Sequence, residues 1–354
     1  MTDLFVKVKV HQEQQLPFVL YVKPNADRVI GVFQENDYLY FLEDFSEKGF
    51  VFAPFDGESI PFIPQTKSEV YVEKISETDF IMSPNPTFSI DEEAKMYFKA
   101  LVAKGVGAII KDEFKKVVLS RKEVVEVNSF EMETVFKKLV AFYPTAFRYC
   151  FFHPKIGMWL GATPEQFLKV NQQTLHTVAL AGTQASTASN NVVWQDKEIE
   201  EQRLVTDYIT QILEDKVSEL TVSSPYSVKA GNLWHIKTDI SATIDNESNL
   251  KEIIKTLHPT SAVCGLPKVA AKDFILQNEY YNREYYSGFL GELNIDLATF
   301  RTDQSDLFVN LRCMKRNGKQ AELFVGCGIT KDSIPEAEFM ETVNKSMTMR
   351  KVLH

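Results

Sequence analysis

Cysteine is scarce in this 354-residue chain, and Cys150, Cys264, Cys313 and Cys327 are scattered with no Cys-x-x-Cys pair. That spacing supplies no zinc ribbon and no disulfide framework, so reduced thiols in a cytoplasm are expected. Long apolar runs are missing as well. None approaches the roughly 18 residues that suggest a membrane span, and the first residues lack the charged start, apolar stretch and cleavage site of a secretory signal. The expectation is a cytoplasmic protein without a membrane partner. Nor is there a basic excess: 39 Lys and Arg stand against 48 Asp and Glu, a formal net charge of −9. Nucleic acid is therefore not an expected partner, although a local basic pocket is compatible with that charge. No His-x-x-x-His, zinc or P-loop spacing occurs, which leaves zinc hydrolysis and nucleotide chemistry unsupported.

What remains is the balance of an ordinary globular protein, 44% hydrophobic and 25% charged residues, with enough length to bury a large core. Residues 17–73 alternate β-rich runs with turn formers such as Pro24-Asn25 and Asp56-Gly57, the pattern of strands and hairpins. The Ser83-Pro-Asn-Pro-Thr87 stretch interrupts it. A helix is expected over residues 91–106 with Ser89 as its N-cap. Strands are expected over 117–127, 147–152, 166–170 and 175–180, and helices over 130–142 and 198–216. The C-terminal third gives two long strands, 307–314 and 322–329, then a helix over 335–352 opened by Pro335. The Ser/Asn-rich residues 185–191 read as a loop, and there is no internal repeat. Strands and helices mixed without a regular βαβ period point to an α+β sandwich.

Several residues could carry chemistry. Glu198 and Glu201 lie three apart on one helix, Glu338 and Glu341 three apart on another, so each pair shares a helical face. Two helices bringing carboxylates together would suit a hard divalent cation such as Mg²⁺; acids in a first turn also simply complement the helix dipole. Lys116 opens an apolar strand. It could serve as a general base or as a solubilising charge at a strand edge, with Lys115 on the opposite face. Glu165 follows a compact turn that could push it into a cleft, or it is a plain turn acid. Arg312, in Phe308-Val-Asn-Leu-Arg312, could clamp a carboxylate in bidentate fashion. Lys345 is four residues after Glu341, the spacing of a surface helical ion pair.

Five runs recur in a known order: Lys116-Val-Val-Leu-Ser-Arg121, Gly161-Ala-Thr-Pro-Glu165, Ala181-Gly-Thr183, Leu257-His-Pro-Thr260 and Gly326-Cys-Gly-Ile329. Together they resemble the chorismate-utilising enzymes, most closely the isochorismate synthases, over roughly residues 90–354. The resemblance implies two large stacked antiparallel sheets with helices outside and the active site in the cleft between them. It implies one chorismate-binding domain over residues 1–354, with 1–90 a divergent β-rich part and 91–354 the catalytic part. Chorismate would be the small-molecule substrate and the protein a monomer. By resemblance Lys116 activates the water that attacks C2, and Glu165 protonates the hydroxyl leaving C4. Glu201 and Glu341 would bind Mg²⁺, with Glu198 and Glu338 beside it. Arg312, Lys345, Tyr286 and the Gly326 backbone would surround the enolpyruvyl carboxylate. Ala181 and Gly182 would line the ring, and His258 and Thr260, of Leu257-His-Pro-Thr260, would bind substrate, His258 near the C4 hydroxyl.

Within that family three positions discriminate. Lys116 favours water over ammonia as nucleophile, Ala181 argues against a covalent lysyl intermediate there, and Ala262 fits isochorismate synthases, where salicylate synthases carry threonine. Tyr286 matches salicylate synthases instead, which makes pyruvate release the alternative activity, with a non-catalytic chorismate-binding protein as a second alternative. The segment Lys197-Glu-Ile-Glu-Glu-Gln202 also departs from the family run at Ile199 and Gln202. The expected activity is a Mg²⁺-dependent isochorismate synthase serving menaquinone synthesis, or a siderophore pathway.

Overall fold

The structure is a computed structural model that describes residues 2–75, 80, 86, 88–185, 192–230, 233–244 and 247–353. Most of the 83–87 interruption and of the 185–191 loop lies outside the described residues. In chain order come α1 (Thr2–Glu13), β1 (Phe18–Val22), β2 (Arg28–Gln34), β3 (Tyr40–Phe41), β4 (Gly49–Ala53), β5 (Pro61–Pro64), β6 (Ser68–Lys74) and α2 (Glu92–Ile110). Next are β7 (Lys116–Glu126), α3 (Met132–Phe142), β8 (Phe147–His153), β9 (Gly157–Thr163), β10 (Gln166–Asn171), β11 (Thr174–Ala185) and α4 (Asp196–Glu214). Then follow β12 (Ser218–Val222), β13 (Tyr226–Ala230), β14 (Leu233–Thr243), α5 (Glu247–Leu257), β15 (Gly265–Leu266), α6 (Lys268–Asn278) and β16 (Phe289–Leu293). The chain closes with β17 (Ile295–Asp296), β18 (Arg301–Thr302), β19 (Gln304–Val309), β20 (Cys313–Asn317), β21 (Gln320–Ile329) and α7 (Pro335–Leu353).

Two large antiparallel sheets result. One runs β15-β7-β21-β20-β9-β8-β1-β2-β6, and the other β12-β14-β11-β10-β19-β16-β4-β5-β3, with β13 also on β14. The alternation along β1 shows why they stack. Val19 and Tyr21 point into an aromatic core with Phe50, Phe52, Phe308 and Phe324 from both sheets, while Phe18, Leu20 and Val22 pack outward with α1 and α3. Both faces of the strand are therefore covered, and Phe-Val-Leu-Tyr-Val is apolar throughout. Helices α4 and α5 cover the outer face of the second sheet, and α2, α6 and α7 pack over β7 and β21. The order is helix, sheet, sheet, helix, the α+β sandwich expected.

Two expectations are corrected. Asp91, not Ser89, caps α2, its carboxylate accepting from the Ala94 N–H at 3.0 Å; an acid one residue before the helix reaches the free N–H groups that Ser89 cannot. The expected strand over 307–314 is two strands in different sheets. β19 ends at Val309, and the chain crosses to β20 through Asn310, Leu311 and Arg312. Arg312 takes a left-handed conformation, φ 47°, to make that crossing.

Candidate active site

A cleft of about 520 Å³ opens between the sheets, walled by β7 and β21 on one side and by β11 and β14 on the other. The first turns of α4 and α7 close one end. Of the residues singled out in the sequence, Lys116, Glu165, Ala181, Gly182, Glu198, Glu201, Tyr286, Arg312, Gly326, Glu338, Glu341 and Lys345 all line it.

Lys116 is the first residue of β7, buried where Lys115 is exposed, so strand alternation turns one lysine inward and the other out. Its ammonium donates to Glu201 Oε1 at 2.7 Å. The strand opposite leaves room for it. A Cβ at Gly328 would come within 3.3 Å of the Lys116 Cε, so a side chain there would crowd the amine.

Glu165 sits on the corner between β9 and β10, and its backbone is fixed. The Val309 N–H donates to its carbonyl at 2.9 Å, and Thr163 Oγ1, near its N–H, donates to the Val309 carbonyl at 2.5 Å. Its carboxyl makes no hydrogen bond among the described residues. Burial pushes the carboxyl up to about 7, against the opposing pull of Lys116, Arg312 and Lys345. A carboxyl that titrates near neutral pH and lines a cleft with three cations has the chemistry to give or take a proton there.

The four acids of α4 and α7 are differently engaged. Glu198 is the third residue of α4 and accepts from the Gln195 N–H at 3.1 Å in a capping box, so the helix-end reading applies to it. Glu201 is held by Lys116, and Glu341 by Lys345 at 2.6 Å. Glu338 shares a hydrogen bond with Cys327. Carboxylate oxygens on two facing helices are the donor type that Mg²⁺ takes. Among the described residues, no three His, Cys, Asp or Glu side chains converge closely enough to hold an ion; the two lysines act as internal counterions. Gly182 brings α4 close. It has φ 71° at a bulge in the β11–β14 ladder, and a Cβ there would meet the Glu198 Cβ at 3.1 Å.

Arg312 and Lys345 supply the positive wall. Lys345 donates to the Gly326 carbonyl at 3.0 Å while pairing with Glu341, so the helical ion pair and the cleft position are the same arrangement. Tyr286 is buried and stacks on Phe324 with ring centroids 5.8 Å apart. A Cβ at Gly326 would lie 2.9 Å from its hydroxyl, so this glycine is required by the tyrosine as well as by the cleft.

Two expected residues are not brought to the cleft. The His258 ring packs edge-on against Phe289 at 5.0 Å and donates from Nε2 to the Pro54 carbonyl at 2.9 Å. Burial holds it neutral, with its pKa lowered to about 4. That is the packed-loop role of a histidine, outside the residues that line the cleft. Thr260 instead lines a separate small cavity beneath Glu165. Conversely, His235 and Lys237 on β14 line the cleft and were missed. Their signal was available: two polar residues at period two in Leu233–Thr243, otherwise a strand-like run. Gln202 restores the local hydrogen bonding that its departure from the family run put in question, donating to Thr238 Oγ1 at 2.6 Å and Thr206 Oγ1 at 2.8 Å.

A two-sheet sandwich whose central cleft gathers a buried carboxyl with Lys116, Arg312 and Lys345 suits a carboxylate-bearing ligand, and residues 63–354 match the chorismate binding enzyme family. The chain belongs to that family. It is 27% identical over 320 residues to isochorismate synthase EntC of Escherichia coli K12, covering 83% of this chain and 80% of the relative. It is 32% identical over 203 residues to isochorismate synthase MenF of the same organism, covering 55% and 45%. The solved structure of MenF, the menaquinone-specific isochorismate synthase from Escherichia coli, shares the fold with a TM-score of 0.78 and 22% identity, over 96% of this chain and 89% of that one.

Proposed function

We propose that this protein is an isochorismate synthase, an isomerase that converts chorismate to isochorismate, for menaquinone synthesis. The observation that carries the reading is the pairing of Lys116 and Glu165 in one cleft with Arg312 and Lys345, since a mere binder of a dicarboxylate needs the cations but not a proton donor held near pKa 7. Released from Glu201 and acting as the neutral amine, Lys116 takes a proton from the water that adds at C2, the ring double bonds shift, and Glu165 gives its proton to the hydroxyl leaving C4. Arg312 and Lys345 hold carboxylate and keep the ring between the two groups. Glu201 and Glu341 would hold a Mg²⁺ ion, with Glu198 and Glu338 beside it. When bound, such an ion anchors the ring carboxylate and restrains its charge. Substrate and product are isomers of similar bonding, so the reaction is readily reversible and a consuming enzyme must draw it forward.

The test is purified protein with chorismate, with and without Mg²⁺, followed by chromatographic separation of the products. Isochorismate formed only with Mg²⁺ is expected. Salicylate with pyruvate would support the second reading, which the placement of Tyr286 in the cleft wall favours. Chorismate bound but unchanged would sink both. Growth of a strain lacking its menaquinone-specific synthase, restored by this chain, is expected for the pathway.

A further inference from the structure

Glu165 forms part of two walls. Besides the cleft it lines a cavity of about 20 Å³ that reaches inward to Tyr208, Thr260 and Ser261 under α4. A space of that size admits one water molecule when it offers two to four polar partners. It does: Ser261 is 1% exposed, and its Oγ and the Thr260 Oγ1 are both buried without a hydrogen-bond partner. Buried hydroxyls are almost always paired, so two unpaired ones on one water-sized space mark a site. Tyr208 adds a phenol that burial keeps neutral, its pKa raised to about 12.

We propose that Ser261 and Thr260 are positioning residues for Glu165, holding one water molecule that donates a hydrogen bond to the inward oxygen of its carboxyl. The acid proton is then confined to the outward oxygen, which faces the cleft. In the reaction that outward O–H bond breaks as the proton passes to the departing C4 hydroxyl, and no bond of the buried water is made or broken. The inference rests on the reading of Glu165 as the acid. The charged and titratable groups that share the cleft with Glu165 are Lys116 from β7, Arg312 from the β19–β20 crossing, Glu198 and Glu201 from α4, His235 and Lys237 from β14, and Glu338, Glu341 and Lys345 from α7. Lys116, Arg312 and Lys345 pull its carboxyl down, and neutral Tyr208 from α4 lies behind it. None of those cleft groups lines the inward cavity, whose polar side chains are Gln166, donating to Asp306 Oδ1, Thr177, donating to the Phe167 carbonyl, and the hydroxyls of Tyr208, Thr260 and Ser261.

The experiment uses the full chain with chorismate and Mg²⁺, comparing wild type, Ser261→Ala, Thr260→Val and the double variant across pH. The double variant is expected to lose about tenfold in kcat with KM little changed. The alkaline limb of its kcat/KM profile should move to higher pH, because a donor to the carboxylate form is gone. Thr260→Ser keeps the hydroxyl and should restore the profile. Wild-type kcat and an unmoved limb in the double variant would overturn the proposal, as would an equal loss in Thr260→Ser. If the double variant does not fold, Ser261→Ala alone is read by the same criteria. Glu165→Gln runs alongside. Turnover retained there removes the acid reading itself, whereas an inactive Glu165→Gln with an unaffected double variant removes only the positioning role.

Discussion

Burial holds the Glu165 carboxyl near pKa 7, so at pH 8 the folded protein carries a poorly solvated carboxylate that the unfolded chain would expose to water. An ordinary glutamate ionises near 4.5. Between those values the folded state binds the extra proton, so this group's contribution is greatest at low pH and is lost as pH rises through about 7. The full loss is roughly 3 kcal/mol. Glu165→Gln should therefore act in opposite directions. Its kcat should fall by about 10² to 10⁴, while its urea midpoint at pH 8 should exceed that of wild type and converge with it at pH 4. An unchanged midpoint at pH 8 would mean that the carboxyl is not desolvated. Lys116→Ala should lose a similar factor in kcat, with circular dichroism unchanged; near wild-type turnover would remove Lys116 as the base. Pattern alone left these two positions open, Lys116 as a strand-edge charge and Glu165 as a turn acid, and it was the resemblance of the surrounding runs to a known family that pointed both into the cleft. The orientation of His258 was not legible, since no spacing tells whether a ring turns toward substrate or toward the Pro54 carbonyl.

Helices α4 and α7 present their first turns to one cleft, and each contributes an acid held by a lysine of this chain, Glu201 by Lys116 and Glu341 by Lys345. A divalent ion that takes those oxygens must displace both ammonium groups. Lys345→Met should accordingly bind Mg²⁺ about two- to fivefold more tightly without substrate, the range for a half-exposed pair. Calorimetric titration reads this independently of turnover, and an unchanged affinity would show that the pair does not compete with metal. The spacing of the acids gave this arrangement in outline, as did the long helix α4. Other elements escaped because local pattern and tertiary packing disagree. Val6-Lys7-Val8-Lys9-Val10 alternates as a strand would, yet it lies within α1, where Leu4, Phe5 and Val8 are buried together against β1 and α3. The run over 307–314 reads as one strand because both halves are apolar, and only the left-handed backbone at Arg312 separates β19 from β20. A non-glycine residue there costs about 1 kcal/mol or more, and it gives the arginine its place at the cleft.

The strands of residues 18–74 carry none of the cleft, yet they form the last three strands at one end of each large sheet. β1 pairs with β8, and β4 with β16. Across the sandwich, Tyr21 of β1 hydrogen-bonds Glu292 of β16, and Lys23 pairs with Glu292 at 2.5 Å and with Asp296 at 2.7 Å. Glu292 is 2% exposed, so its charge depends on Lys23, and removing one partner of a buried pair typically costs about 3–5 kcal/mol. Lys23→Met should lower stability by about that much in urea, while kcat per folded molecule stays at the wild-type value because the cluster is remote from the cleft residues. A stability loss below about 1 kcal/mol would show that Glu292 is protonated in the native state and needs no partner. The same connections bear on how the chain divides. The resemblance covers roughly residues 90–354, but as in the single domain expected over 1–354, β8 and β16 would each expose an apolar edge and a face of the aromatic core if residues 1–90 were removed. Unpaired, apolar edges favour association over folding. Residues 91–354 expressed alone are therefore expected to aggregate or to lack a cooperative thermal transition, whereas adding 1–90 as a separate chain restores solubility if the strands re-pair. A monomeric, cooperatively melting fragment with isochorismate synthase activity would show instead that the N-terminal strands are dispensable to the cleft.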